Sequence, residues 1–106
     1  RYHQALQLIM ITVEPYNSTK GEFSPEILEE AMDAMNDAIR TSLRAVDVCT
    51  RFSSQQFLVI LTNAATDNIS MIVTRIFNKF YKLCDNKNLH LHYEAASLKD
   101  IKDTSK

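Results

Sequence analysis

Three side chains that could bind a metal alternate along "HLHYE", a segment in the last quarter of the sequence. His90, His92 and Glu94 would point from one face of a strand, and His-x-His is a spacing found among zinc ligands. Two or three ligands on one strand still need a closing partner, and His3 is the only other histidine. A strand that faces solvent or a partner protein is the simpler interpretation, so we predict no metal site.

A charged pair, Arg44 and Asp47, lies in "RAVD", where a long helical pattern ends. Two such side chains, three residues apart near a helix C-terminus, could form a local ion pair and stabilise the helix dipole. Arg51 could compete for Asp47. The residue types alone leave open whether the pair is structural or binds a ligand. Cys49 and Cys84 lack a C-x-x-C spacing, which predicts reduced, small apolar core residues.

The composition excludes several classes of function. A net charge of -1 gives no field to attract nucleic acid or anionic lipid. The longest apolar run, "LIMITV", is too short to cross a bilayer, and the first residues do not form a signal peptide. A single glycine cannot build a phosphate-cradling loop. We therefore expect one cytoplasmic domain over residues 1–106, with no nucleic-acid partner and no membrane insertion.

Apolar periodicity predicts the elements that position these residues. The run from Leu6 to Val13 is too apolar for an edge strand with one wet face. Ser24 and Pro25 are typical of a helix start. That helix has an apolar stripe at Leu28, Ala31, Met32, Met35, Ile39, Leu43 and Val46. A second helix has a buried face at Ile69, Ile72, Val73, Ile76, Phe77 and Phe80, and a final strand buries Leu89, Leu91 and Tyr93.

Between the helices, "VDVCTRF" and "FLVIL" predict a β-hairpin. Its turn consists of Ser53, Ser54, Gln55 and Gln56, whereas tight turns favour Gly, Asn or Asp. The predicted order is therefore β-α-β-β-α-β. Right-handed crossovers would bury both helices on one face of a four-stranded antiparallel sheet, which is the ferredoxin-like α+β arrangement. This fold does not by itself imply a function.

The hairpin region, "LRAVDVCTRFSSQQFLVIL", resembles the signature region of the diguanylate cyclase family, the GGDEF domains. Members read Leu-Arg-x-x-Asp, then Arg-Tyr-Gly-Gly-Asp/Glu-Glu-Phe and an apolar strand. Leu43, Arg44, Asp47 and Arg51 align without a gap, and Phe57 keeps the last signature residue. The resemblance covers roughly residues 6–96 and implies a bacterial signalling domain that forms part of a longer protein.

The resemblance implies that active members join two GTP molecules into cyclic di-GMP with the help of metal ions, normally Mg²⁺. The positions of the two carboxylate ligands hold the neutral Thr12 and Gln55. Glu14 is a nearby carboxylate, but strand alternation offsets it from the matching position. Ser53 and Ser54 replace the paired glycines, and Gln56 replaces the fourth signature residue.

Other family positions change as well. Pro15 falls in the loop that faces the phosphates, Lys20 replaces the Asn that reads guanine, and Glu29 retains a carboxylate where members use Asp. The catalytic site is therefore expected to be erased at Thr12, Ser53, Ser54, Gln55 and Gln56. We expect no enzyme activity and no cofactor, since Mg²⁺ belongs to active members only.

The family's product-inhibition site is an R-x-x-D motif, which Arg44 and Asp47 match, with Arg75 where members carry a supporting arginine. The resemblance implies that these three residues bind cyclic di-GMP, because the planar guanidinium of arginine suits phosphate and the Asp carboxylate accepts hydrogen bonds from guanine.

Three hypotheses for the function of the chain stay open. The chain is an inactive cyclic di-GMP receptor, an enzyme with residual activity through Glu14, Gln56 and Glu29, or a module that contacts signalling proteins or forms a homodimer. In each, it is expected in the cytosol, as one part of a sensor that could be membrane-attached.

Overall fold

The structure, a computed structural model, describes residues 6–15, 25–62, 68–84 and 89–97. Its elements follow in the predicted order, β-α-β-β-α-β. They are β1 (Leu6–Pro15), α1 (Pro25–Arg40), β2 (Val48–Ser53), β3 (Gln56–Thr62), α2 (Ile69–Leu83) and β4 (Leu89–Ser97). The helix-start residue Ser24 and His3 lie outside the described residues. None of the described helices is long and apolar enough to span a membrane.

The four strands form one antiparallel sheet in the order β2-β3-β1-β4. β1 is central, with Met10 opposite Leu58 of β3 on one side and opposite Glu94 of β4 on the other. This position explains why β1 is apolar on both faces, and it confirms the prediction from its composition. The ferredoxin-like arrangement is therefore confirmed.

Both helices pack on the same face of the sheet. Alternate residues of the strands point to that face, and the three- and four-residue stripes of the helices cover them. The fully buried large side chains of this core are Ile9, Ile11, Val13, Met32, Met35, Ile39, Val59, Leu61, Ile76 and Phe80. The predicted buried faces of the two helices are confirmed over the lengths of α1 and α2.

The first helix is shorter than its apolar stripe predicts. α1 ends at Arg40, where the hydroxyls of Thr41 and Ser42 donate to the carbonyls of Asp37 and Ala38, both at 2.8 Å. Such back-bonding by Ser and Thr competes with helix continuation. The following residues form a turn instead, so Val46 is 61% exposed and its predicted burial was wrong. Leu43 still packs against the core.

Three smaller predictions have different outcomes. Tyr93 lies on the predicted face, but it is 37% exposed and its ring meets Phe77 edge-on, with centroids 6.2 Å apart. Pro15 is the last residue of β1, opposite Leu89, rather than part of a loop, and a strand end needs no N–H from it. Cys49 and Cys84 are free thiols that pack, half-buried, against the core, as predicted.

Candidate functional site

The hairpin turn is held by its own side chains. The Ser53 hydroxyl accepts the backbone N–H of Gln55 at 3.2 Å and donates to the side-chain oxygen of Gln56 at 3.1 Å. The strand register shifts between Arg51 and Ser53, which accommodates the turn. Side-chain hydrogen bonds of this kind stabilise a turn that lacks glycine. Polar groups of the turn residues therefore find hydrogen-bond partners within the turn itself, without the glycines that the family pattern would supply.

Neutral hydrogen bonds also tie the turn to β1. The side-chain amide of Gln55 donates to the Val13 carbonyl at 3.0 Å, and the Val13 N–H donates to the Gln55 carbonyl at 2.9 Å. The side-chain amide of Gln56 donates to the Thr12 hydroxyl at 3.3 Å. Four residues expected at the erased catalytic site, Thr12, Ser53, Gln55 and Gln56, therefore do come together. They meet as donors and acceptors that satisfy one another.

This arrangement does not suit a divalent cation. Mg²⁺ needs several converging oxygen ligands, preferably anionic ones. Here the side-chain amides of Gln55 and Gln56 donate to the Val13 carbonyl and the Thr12 hydroxyl, and neither Thr12 nor Gln55 carries a charge. Within the described ranges, no group of three or more His, Cys, Asp or Glu side chains is arranged to hold a metal ion.

Arg51 links the turn to the start of α1. Its guanidinium lies 5.7 Å from the centroid of the Phe57 ring, donates to the Ser53 carbonyl at 2.9 Å and pairs with Glu29 at 3.5 Å. Arg51 therefore contacts Glu29 rather than Asp47, which settles the competition that the sequence left open. The one retained carboxylate, Glu29, is already paired. Lys20 lies outside the described residues.

Arg44 and Asp47 form a closed network at the turn after α1. The Asp47 carboxylate accepts the backbone N–H of Arg44 at 3.0 Å, two guanidinium N–H groups of Arg44 at 3.1 and 3.2 Å, and the N–H of Thr62 at 3.3 Å. The same guanidinium donates to the Thr62 carbonyl. Only 3% of the Asp47 side chain is exposed, against 57% for Arg44. The local ion pair expected from the residue types is present, and it anchors the turn to the end of β3.

The electrostatics keep this pair ionised. Burial alone would raise the pKa of Asp47, but the hydrogen bonds from Arg44 and Thr62 and the charge of Arg44 outweigh it and lower that pKa. The hydrogen bond to Asp47 raises the pKa of Arg44 in turn. All four bonds to the carboxylate come from the protein itself. The exposed guanidinium of Arg44 is therefore the part of the motif that a ligand could reach.

The third residue of the predicted binding site, Arg75, is exposed on α2, and its guanidinium makes no hydrogen bond or ion pair with the other described residues. Lys79, one turn further along α2, donates to the Thr41 carbonyl at 2.9 Å and to the Thr41 hydroxyl at 3.3 Å. This contact joins α2 to the turn that carries Arg44. Sequence reasoning missed Lys79, although its four-residue spacing from Arg75 places both on one helical face.

The histidines of β4 lie on the sheet face away from the helices. Glu14 pairs with His92 at 3.2 Å, and the rings of His90 and His92 are 5.7 Å apart between centroids. About two fifths of each side chain in the Glu14–His92 pair is exposed, at 40% and 43%. The prediction of a solvated strand face is confirmed for His92.

Comparisons with known proteins agree with this fold. The diguanylate cyclase SiaD of Pseudomonas aeruginosa, solved with its activator SiaC, matches with a TM-score of 0.73 and 14% identity over 88% of this chain and 38% of its own. The active GGEEF domain of a diguanylate cyclase from Vibrio cholerae matches with a TM-score of 0.72 and 16% identity, over 89% and 62%. The GGDEF domain of DgcB from Caulobacter crescentus, in complex with c-di-GMP, matches with a TM-score of 0.67 and 11% identity, over 89% and 60%.

This chain thus spans less than two thirds of each of these solved chains, and identities this low show a shared fold alone. No curated protein matches the sequence. The family model for the diguanylate cyclase, GGDEF domain, matches residues 1–97. Because that match covers nearly all of the sequence, the chain belongs to the GGDEF domain family of diguanylate cyclases.

Proposed function

We propose that this chain is a catalytically inactive GGDEF domain that acts in signalling through its contacts with other molecules. The observation that supports this most is that hydrogen bonds between uncharged groups join the hairpin turn to β1. The side-chain amides of Gln55 and Gln56 donate to the Val13 carbonyl and the Thr12 hydroxyl. The complex of SiaD with its activator SiaC is a precedent within the fold for a protein partner.

The chemistry of phosphoryl transfer supports the same proposal. Catalysis of that reaction depends on positioning the phosphates and on neutralising the charge that develops, which metal ions and cationic side chains supply. Neither Thr12 nor Gln55 carries a carboxylate to hold a metal, and Glu14, the nearby carboxylate of β1, pairs with His92. Glu29, the retained carboxylate, is paired with Arg51. A nucleotide would have to break these contacts before it could bind.

The direct test is to incubate the chain with GTP and Mg²⁺ or Mn²⁺ and to measure cyclic di-GMP by chromatography. We expect no product above the enzyme-free blank, because the metal-binding carboxylates are missing. The active GGEEF domain from Vibrio cholerae serves as the positive control. Product that disappears in Glu29→Ala would contradict the proposal and support the residual-enzyme reading.

A second candidate function is that of a cyclic di-GMP receptor at Arg44 and Arg75. The observation that favours it is the exposed Arg44 guanidinium, which the buried Asp47 carboxylate holds in one orientation. A pre-oriented planar guanidinium suits a phosphate or an acceptor edge of guanine. Arg75 adds a second exposed guanidinium on the helix that Lys79 joins to the same turn. DgcB from Caulobacter crescentus was solved with c-di-GMP.

Isothermal titration with cyclic di-GMP tests this second function. We expect micromolar or tighter binding, and a loss of about tenfold or more in Arg44→Ala, since a hydrogen bond to a charged group contributes about 1.5–3 kcal/mol. Lys82→Ala removes an exposed charge from the last turn of α2 and is the matched control. No heat at high protein concentration would leave Arg44 and Asp47 with a structural role only.

We infer that the domain works in the cytosol of a bacterium, as one part of a longer protein. The solved chains that share its fold extend well beyond the part that it matches. Pull-down from a bacterial lysate followed by crosslinking would test for a cytosolic partner. Recovery of extracytoplasmic proteins alone would contradict the inferred location.

A further inference from the structure

The Asp47 carboxylate has its hydrogen-bonding capacity filled by the protein. A carboxylate has two oxygens with about four lone-pair sites between them. Oδ1 accepts from Nη2 of Arg44 and from the N–H of Thr62, and Oδ2 accepts from the backbone N–H and from Nε of Arg44. Each oxygen therefore accepts two hydrogen bonds, and the side chain is almost completely buried.

Arg44 occupies the place at Asp47 that a guanine base would need. A guanine bound to a carboxylate presents two adjacent N–H groups, one to each oxygen. The Arg44 guanidinium already does this, with Nε bonded to Oδ2 at 3.2 Å and Nη2 bonded to Oδ1 at 3.1 Å. If that guanidinium moved away, the backbone N–H groups of Arg44 and Thr62 would still bond the carboxylate, and its burial would still keep a base out.

The same network limits what Arg44 can recognise. A guanidinium has five N–H donors, and arginine recognises guanine through a bidentate pair of hydrogen bonds to O6 and N7. In Arg44, Nε bonds Asp47, and Nη2 bonds both Asp47 and the Thr62 carbonyl. None of its bonds to the described residues uses Nη1. The two N–H bonds of one nitrogen diverge, so Nη1 can donate to a phosphate oxygen but is poorly placed for the paired contact to guanine.

The helix beside this turn carries positive charge and no negative charge. α2 contains Arg75, Lys79 and Lys82 and no Asp or Glu. Arg75 is exposed, and Lys79, one turn away, bonds Thr41 in the turn that leads to Arg44. Exposed cationic side chains attract a phosphate group whichever base is attached to it.

We propose that Arg44 and Arg75 bind the phosphates of a cyclic dinucleotide without recognising its bases, and that Asp47 is a positioning residue that does not contact the ligand. Cyclic di-AMP has the same sugar–phosphate ring as cyclic di-GMP and different bases, so the two should bind equally well. This inference rests on the proposed receptor function. It departs from the family resemblance, which implies that Asp47 accepts hydrogen bonds from guanine.

Isothermal titrations of the chain with cyclic di-GMP, cyclic di-AMP and inorganic phosphate test the proposal. We expect the affinities for the two dinucleotides to agree within about threefold, because recognition of guanine by a bidentate pair would separate them by about tenfold or more. Inorganic phosphate should bind more weakly, since it offers one phosphate group instead of two. This comparison uses the wild-type chain, so it does not depend on how stable any variant is.

Two substitutions test whether Asp47 acts through Arg44. Arg44→Ala should weaken the binding of both dinucleotides by about tenfold. Asp47→Asn keeps the size of the side chain and should weaken both by one common factor, because it loosens the Arg44 guanidinium. In the Arg44→Ala background, Asp47→Asn should cause no further loss of affinity, since the two residues act through one contact.

The possible outcomes separate this inference from the receptor function. Cyclic di-GMP that binds about tenfold or more tighter than cyclic di-AMP would overturn the inference and leave the receptor function standing. A changed ratio of the two affinities in Asp47→Asn, or a further loss in the double variant, would also overturn it. No heat with any of the three probes would overturn both. Inorganic phosphate that binds as tightly as the dinucleotides would support recognition without bases and contradict the receptor function.

Discussion

Asp47→Ala is expected to lower the free energy of unfolding by about 2–3 kcal/mol, since hydrogen bonds to a charged group contribute about 1.5–3 kcal/mol and several are lost together. The substitution leaves the backbone N–H groups of Arg44 and Thr62 without their acceptor. It also detaches the turn after α1 from the end of β3. For a domain of this size the melting temperature should fall on the order of 10 °C. Urea unfolding followed by circular dichroism measures the change.

Asp33→Ala is the matched control, because Asp33 is exposed on α1 and its loss should have little effect. If Asp47→Ala were as stable as Asp33→Ala, the network around Asp47 would not hold the turn.

The pH dependence of stability, compared between the wild type and Asp47→Asn, gives an independent check on the role of the Asp47 charge. The folded-state pKa of Asp47 is lowered, so its contribution is complete above the unfolded pKa of about 3.9 and is lost as pH falls through the folded value. The stability gap between the wild type and Asp47→Asn should therefore shrink below about pH 4.

The double variant Thr12→Asp/Gln55→Glu is expected to be less stable than the wild type by about 2 kcal/mol in metal-free buffer, and to regain stability when Mg²⁺ is added. Gln55→Glu removes the donor to the Val13 carbonyl and places a carboxylate beside that oxygen. Thr12→Asp adds a second negative charge close by. A divalent cation would neutralise both and would bind only the folded chain. Thermal unfolding with Mg²⁺ and with EDTA measures the difference.

Gln55→Met separates charge from hydrogen bonding in this experiment. It removes the same donor without adding a carboxylate, so it should lose stability and show no response to Mg²⁺. The wild type should not respond either. A rise in the wild-type melting temperature on adding Mg²⁺ would mean that the neutral residues already hold a cation, and the proposal of an inactive domain would lose its main support.

Local patterns in the sequence predicted the fold because each pattern of apolar residues is typical of one kind of element in one kind of position. The apolar run of β1 required a central strand, and the stripes of α1 and α2 required helices on a shared face. The exposure of Val46 was not predictable in this way. It follows from the back-bonding of Thr41 and Ser42 that ends α1, and from the contact of Asp47 with the N–H of Thr62 on another element; periodicity carries no information about either.

The candidate site also has features that the sequence predicted and features that it did not. Aligning the signature region located the turn and identified Thr12 and Gln55 as neutral replacements, which needed only residue types. The amide of Gln55 bonding to Val13 and the ammonium of Lys79 bonding to Thr41 join residues far apart in the sequence. Their partners depend on how β1 meets the hairpin and how α2 meets the end of α1. A sequence read segment by segment cannot supply that geometry.

The central position of β1 has a consequence for how the chain folds. The β2–β3 hairpin pairs neighbours in sequence, whereas β1 must find β4, the last of the described strands, with Gln7 opposite Ser97. Closing so long a loop is slow, so we expect the hairpin to form early and β4 to dock last. During synthesis β1 would therefore wait with one edge unpaired, and its apolar side chains would be exposed to chaperones until β4 leaves the ribosome.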